Sequence, residues 1–261
     1  MTLVDRFAAA FEGSSVAHGQ TTVGDVRKNG KTEAKSFIVR EPLTKHLIDS
    51  HLQGEHGVGA IPINSQNMCK FGALDIDTYP VDHLAILKKC RRFKLPLVVC
   101  RSKSGGAHLF LFMQDWISAT DMRDHLMEFA AVLGYGGCEV FPKQNKILAE
   151  RGDVGNFINL PYFAADNTLR YAINQKGDEL SLESFLKEVE RRKVTLEDLR
   201  KLDFSTDDDE LREMPPCLRI MFATSVPDGT RNKVMFHAAV AAKMMNPDSW
   251  ERTLESWNQK Y

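Results

Sequence analysis

Between Lys70 and Phe141 the sequence spells one order of elements: strand, helix, strand, strand, helix, strand. Lys70–Asp77 is a buried strand by composition, ending in two acids one residue apart. Pro80 sits just inside the start of a predicted helix, Val81–Phe93, with Leu84, Ile86, Leu87, Cys90 and Phe93 on its apolar side. Pro96 precedes a second strand, Leu97–Arg101, and the polar turn Ser102-Lys103-Ser104-Gly105-Gly106 leads into a third, His108–Met113. Ser118 caps a helix over Ala119–Leu133, with Met122, Leu126, Phe129 and Leu133 on one face. Gly134, Gly136 and Gly137 stop it before the last strand, Cys138–Phe141.

That order is the ferredoxin-like, or RNA-recognition-motif-like (RRM-like), layout. It predicts a sheet running fourth strand, first, third, second, with both helices on one face and the other face open. Side chains alternate between faces along a strand. Leu74, Ile76, Leu109 and Leu111 face the helices, which leaves Asp75, Asp77, His108 and Glu139 to project from the open face. Alone, an Asp-x-Asp pair is satisfied as two solvated aspartates at a strand end. Three acids and an imidazole gathered from three neighbouring strands are a much narrower signal.

The flanking sequence completes the fold class, α/β (α+β). An N-terminal α/β unit over 1–66 and the RRM-like core over 67–175, with peripheral helices to 204, make one larger domain of 1–204. An acidic linker follows at 205–214, then a C-terminal helical tail at 215–261 opened by Pro215-Pro216. Within the first unit, Val4–Phe11 and Pro42–Leu52 read as helices, the second ended by Gly54. Val16–Lys35 is polar and glycine-containing, with Arg27, Lys28, Lys31 and Lys35, and reads as a flexible or hairpin region. Gly57–Ile63 is a strand entered through glycines; no G-x-G-x-x-G opens a helix there, so it is not a dinucleotide loop. Past the core, Gly155–Pro161 and Leu169–Ile173 read as strands, and Ser181 and Thr195 cap two helices. In the tail, Val234, Met235, Ala238, Ala239 and Met244 mark one helix, and Trp250, Leu254 and Trp257 another.

A net charge of −1 gives no global field for nucleic acid, so any basic surface is local. The five cysteines are scattered without a C-x-x-C pair, which argues against a zinc site and for a reducing cytoplasm. No signal peptide and no apolar run of spanning length is visible, so the expectation is a cytoplasmic protein with no membrane partner.

Two like charges about 4 Å apart repel by roughly 4 kcal/mol at an effective dielectric near 20, which a divalent cation between them relieves. Asp75 and Asp77, with Glu139 as a third ligand, can hold divalent ions that bridge a nucleotide's phosphates and activate an attacking hydroxyl. The Ser102–Gly106 turn offers backbone N–H groups, Lys103 and Ser104 to an anion. His108, at its exit, is placed to donate to a phosphate, and Lys143 to neutralise another.

Leu74-Asp75-Ile76-Asp77, Ser102-Lys103-Ser104-Gly105-Gly106-Ala107-His108 and Glu139-Val140-Phe141-Pro142-Lys143-Gln144 resemble, in order and spacing, the three catalytic motifs of the archaeo-eukaryotic primase superfamily. The likeness is nearest to the primase–polymerase branch of phages and mobile elements, and it extends over residues 5–175, including Gly155–Pro161 and His51–Gly59. The turn is one residue shorter than in that branch and carries Gly106 where many members have serine. The resemblance implies a DNA primase or primase–polymerase, making primers on a single-stranded DNA template from nucleoside triphosphates with Mg²⁺ or Mn²⁺. It implies Asp75, Asp77 and Glu139 as metal ligands, catalytic together with His108. It implies Lys103, Ser104, His108, Lys143 and Asn159 as nucleotide-binding residues. The tail resembles the helical domain that follows some phage and plasmid primases, and a helicase, separate or fused, is a further implied partner.

Two other functions compete. A non-catalytic RRM-type nucleic-acid or nucleotide-binding module would stack bases on Phe110 and Phe112, yet it would carry an aromatic where this chain has Asp75 and Asp77. A gap-filling or end-joining polymerase would use the same residues as a primase. A rolling-circle initiator would need H-x-H, which does not occur.

Overall fold

The computed structural model describes residues 1–26, 32–202, 204, 218, 222 and 231–260. Arg27, Lys28 and Lys31, the acidic stretch 205–214 and Pro215-Pro216 lie outside the described residues. The chain divides into two compact units, one of 1–126 with 138–199, the other of 127–137 with 200–261.

The first unit is built on two antiparallel four-stranded sheets. One contains β1 (His18–Val26), β2 (Thr32–Val39), β3 (Gly57–Ala60) and β8 (Ile158–Asn159), in the order β2-β1-β3-β8. The other contains β4 (Met68–Ile76), β5 (Leu97–Arg101), β6 (Ala107–Ser118) and β7 (Glu139–Phe141), in the order β5-β6-β4-β7. That second order is the one the element succession predicts. Helices α1 (Leu3–Ala10), α2 (Lys45–Gln53), α3 (His83–Arg92), α5 (Leu182–Arg192) and the start of α4 (Ala119–Leu133) complete the unit, and α6 (Leu196–Arg200) follows. Helix α3 begins two residues later than its proline suggests. Asp82 caps it, its side chain accepting the Ala85 N–H, so the cap rather than Pro80 sets the start. On the helix-facing side of β4, Gly72 makes room for α4: a Cβ there would lie 2.6 Å from Met122 Sδ.

The opposite face of the second sheet is largely covered, contrary to the open face that strand phasing predicts. Phe71, Ala73, Phe110, Phe112 and Phe141 are buried in one core with Phe7 of α1 and Phe11 that caps its C-terminus, Ile48 and Leu52 of α2, Val58 and Ala60 of β3, and Phe185 and Val189 of α5. The Phe11 ring stands edge-on to Phe71, Phe110 and Phe112 at 5.3, 5.2 and 5.5 Å. Phe110 and Phe112 are therefore unavailable for base stacking. Phasing says which side chains share a face; it does not say which distant segment comes to lie on them. Helix α1 is short, and a Thr2/Asp5 capping box satisfies its first N–H groups.

His51 ties α2 to this core. It is fully buried, its Nδ1 accepts the Val58 N–H at 3.1 Å, and its Nε2 donates to Pro161 O at 2.8 Å. Those bonds require the neutral ring protonated at Nε2. Burial pushes its pKa down to about 4. Between pH 6.5 and 4 the unfolded chain binds a proton at this ring that the folded chain refuses. Stability therefore falls as pH drops through that window, by up to about 3 kcal/mol from this residue. Melting temperatures of the protein and a His51→Gln variant at pH 7.5 and 4.5 check this: the variant's acid-induced drop should be the smaller. Equal drops would remove His51 from the account.

In the second unit, α7 (Arg231–Met245) and α8 (Trp250–Lys260) share a core of Leu218, Phe222, Val234, Ala238, Ala241, Ala242 and Trp257. Met244, expected on the apolar face, is exposed. No described helix is long and apolar enough to cross a membrane.

Candidate active site

The register of the second sheet sets the chemistry in one row. Asp75 on β4 lies directly opposite His108 on β6 and Glu139 on β7, and His108 lies opposite Cys100 on β5. Directly opposed residues on antiparallel strands point to the same face. This row sits at the end of the sheet that the core leaves accessible. His108 Nε2 is 3.3 Å from Asp75 Oδ1, with the two side chains 12% and 19% exposed. The contact has ion-pair distance without hydrogen-bond alignment, and Asp75 Oδ1 is buried with no hydrogen-bond partner. Glu139 is the most open of the three, paired with Lys143 at 2.8 Å, and the Lys143 ammonium also stands 5.1 Å from the centre of the Phe141 ring.

Asp77 follows the end of β4 and is exposed. Its Oδ1 is 3.0 Å from the Tyr79 hydroxyl, which is 2.6 Å from Ser104 Oγ. Tyr79 has one proton for two neighbours, so it donates to one acceptor and the serine hydroxyl turns to suit. This network joins the second acid of the strand to the glycine turn. Gly105 needs its freedom, with φ at +91°, and a Cβ on Gly106 would lie 2.5 Å from Ile76 O and 2.8 Å from Asp77 Oδ1. Glycine at 106 is thus the residue that lets this turn close against Asp77.

A cavity of about 270 Å³ opens over the row. Asp75, His108, Glu139 and Lys143 line it from the second sheet; Ser36, Ile38, Asn156, Phe157 and Asn159 line it from the other side. The Thr21 hydroxyl links two of these, 3.0 Å from Ser36 Oγ and 3.0 Å from Asn159 Oδ1. Of the residues predicted from sequence, Asp75, His108, Glu139, Lys143 and Asn159 share this cavity. Asp77, Lys103 and Ser104 do not line it; they lie at the turn.

Sequence reasoning missed Ser36, Ile38, Asn156 and Phe157. One signal was present. Glycine inside a strand marks close approach of another group. A Cβ at Gly19 would lie 2.1 Å from Phe157 Cδ2, and one at Gly59 2.3 Å from the same atom. The strand glycines are the bed on which Phe157 lies. A larger cavity, about 580 Å³, lies elsewhere and is lined by Asp82, His83, Arg101, Tyr171, Lys176 and Asp178. Its acids offset its bases, and none of the predicted site residues borders it.

Among the described residues, no group of three or more His, Cys, Asp or Glu side chains is drawn closely enough together to hold a metal ion. The donor set nonetheless suits a hard cation. Its acids are carboxylates, and Asp75, which lines the cavity, has a buried Oδ1 that accepts no hydrogen bond and whose contact is His108 Nε2 at 3.3 Å. Asp75, Asp77 and Glu139 all carry hard oxygen donors, with Glu139 held to Lys143 in this arrangement.

Comparison with known proteins adds the following. The family model for the Archaeo-Eukaryotic Primase domain of the TOTE conflict system matches residues 14–191. No curated protein matches the sequence. Among solved structures, primase RepB' is similar at 11% identity and a TM-score of 0.37, covering 98% of this chain and 93% of that one. The catalytic domain of primase RepB' in complex with initiator DNA is similar at 9% identity and a TM-score of 0.35, covering 73% of this chain and 91% of that one.

Proposed function

Since the chain belongs to the archaeo-eukaryotic primase domain family of TOTE conflict systems, we propose that it is a primase or primase–polymerase. It would join nucleotides by metal-dependent nucleotidyl transfer on a single-stranded DNA template. The observation that carries this reading is the cross-strand row of Glu139, Asp75 and His108 beneath one cavity, with Asp75 Oδ1 lacking any hydrogen bond. A binding module has no use for a buried carboxylate oxygen that accepts no hydrogen bond; a cation site has.

In the reaction, a 3′-hydroxyl attacks the α-phosphorus of an incoming nucleoside triphosphate, the new P–O bond forms, and pyrophosphate leaves. Asp75, Asp77 and Glu139 would hold Mg²⁺ or Mn²⁺, which supplies charge neutralisation at the phosphate and a more acidic hydroxyl. His108 donates a hydrogen bond from Nε2 to a phosphate oxygen. Lys143, released from Glu139, neutralises a further phosphate charge. Lys103, Ser104 and the backbone N–H groups of the turn receive the outer phosphates. Asn159, held through Thr21, contacts the nucleotide from the facing sheet.

Incubating the protein with single-stranded template, labelled nucleotides and Mn²⁺ is expected to yield dinucleotides and longer products. Template binding with no product, across both metals and several templates, would sink the reading in favour of a binder.

A further inference from the structure

The segment after Tyr162 adds an edge to the second sheet. Cys100 bridges to Ala172, the Arg101 N–H donates to Tyr171 O at 2.8 Å, and the Ile173 N–H donates to Val99 O at 3.0 Å. Extending that register places Arg170 beside Ser102, and the same rule carried across the turn reaches Gly106 and then Asp77. This row is the neighbour of the one that holds Cys100, His108, Asp75 and Glu139. Alternation puts Arg170 on the face that bears His108 and Asp75.

Arg170 is only 8% exposed, and its Nη1 is buried with no hydrogen-bond partner. Among the described residues no carboxylate pairs with it; the Phe163 ring lies 5.3 Å from the guanidinium carbon, and the buried His51 ring, packed on Phe163, is near enough to be disfavoured as a cation by the Arg170 charge. A Cβ on Gly57 would lie 3.9 Å from Phe163 Cε2, and Gly57 is paired with Thr21. The Thr21 hydroxyl in turn contacts Ser36 and Asn159 of the cavity wall. Arg170 thus stands between the sheet row that carries the glycine turn and the sheet row that carries Thr21.

A buried guanidinium without a counter-ion is costly, and burial lowers its pKa from the usual arginine range. An anion that visits the site would supply what the fold leaves out. We propose that Arg170 is a further nucleotide-binding residue, whose guanidinium takes a terminal phosphate of the nucleoside triphosphate. This inference rests on the nucleotidyl-transfer reading above. Arg170 lies two strands and two residues along from His108, about 12 Å at the usual spacings of about 4.8 Å between strands and 3.3 Å per residue, a gap that a triphosphate and an arginine side chain bridge together. The planar fork of donors matches phosphate oxygens. Phe163 holds the guanidinium in place from one side.

The test is calorimetric titration of the protein, Arg170→Met and Arg170→Lys with a non-hydrolysable nucleoside triphosphate and with the monophosphate, in Mg²⁺. Arg170→Met is expected to weaken the triphosphate roughly 10- to 100-fold and leave the monophosphate unchanged. Its melting temperature should hold or rise, because an unpaired buried charge has been replaced by an apolar chain of similar length. Arg170→Lys should fall between. Unchanged triphosphate affinity overturns the proposal, as does equal weakening of both nucleotides with a lowered melting temperature. Failure of both variants to fold makes Arg170 structural and overturns it too. If His108→Ala weakens the triphosphate while Arg170→Met does not, only this inference fails. If the unaltered protein binds no triphosphate, the nucleotidyl-transfer reading fails with it.

Discussion

Asp75→Asn is expected to lower nucleotide incorporation by roughly 10³-fold or more while the melting temperature holds or rises. Asparagine has the shape of aspartate, so the register of β4 against β6 and β7 stays as it is. What is lost is charge at the centre of the row. Asp75 Oδ1 is buried and accepts no hydrogen bond, and its contact within the fold is His108 Nε2 at 3.3 Å. Burying a neutral amide costs less than burying a carboxylate whose pairing is incomplete. Function and stability should therefore move apart, as they do where a fold tolerates a poor local arrangement for the sake of chemistry. Primer-extension rates beside thermal melts decide it. Incorporation within tenfold of the unaltered protein would remove Asp75 from the metal site, and a large drop in melting temperature would make its role structural.

Phe11→Ala is expected to destabilise the first unit by about 3–5 kcal/mol. Phe11 is 3% exposed and contacts Phe7 at 4.9 Å as well as the three sheet phenylalanines. Its removal leaves a hole between α1 and the second sheet that rigid β-strands cannot collapse into. Phe37, on the edge strand β2, is 44% exposed and is the control: its truncation should cost no more than about 0.5 kcal/mol. Urea denaturation measures both. The account of the covered sheet face fails if the Phe11 variant loses under about 1 kcal/mol, since that much is expected of an average substitution.

The sequence was most legible where structure is local. The hydrophobic phasing of Leu74 and Ile76 against Asp75, and of Leu109 and Leu111 against His108, is a property of each strand alone. Combined with the element order, it determined the sheet sequence and the face shared by Asp75, His108 and Glu139. Strand pairing then made these residues exact neighbours in the row without any further information. Glycines told less than they could have. Gly19 and Gly59 announce a close approach, but nothing local says that Phe157, about 100 residues further along the chain than Gly59, is what approaches.

Tertiary structure alone decided what lies over that face. Helices α1, α2 and α5 bury Phe110 and Phe112, turning an expected open sheet into a cavity at one end. It also decided that Asp77 turns to Tyr79 and the glycine loop, that Ser36 and Asn159 meet through Thr21, and that Arg170 is buried without a counter-ion. Each of these joins segments that have no pairing rule between them. Alternation and register are carried by the backbone and can be read from one strand to the next, whereas packing depends on which surfaces happen to be complementary once the whole chain has collapsed.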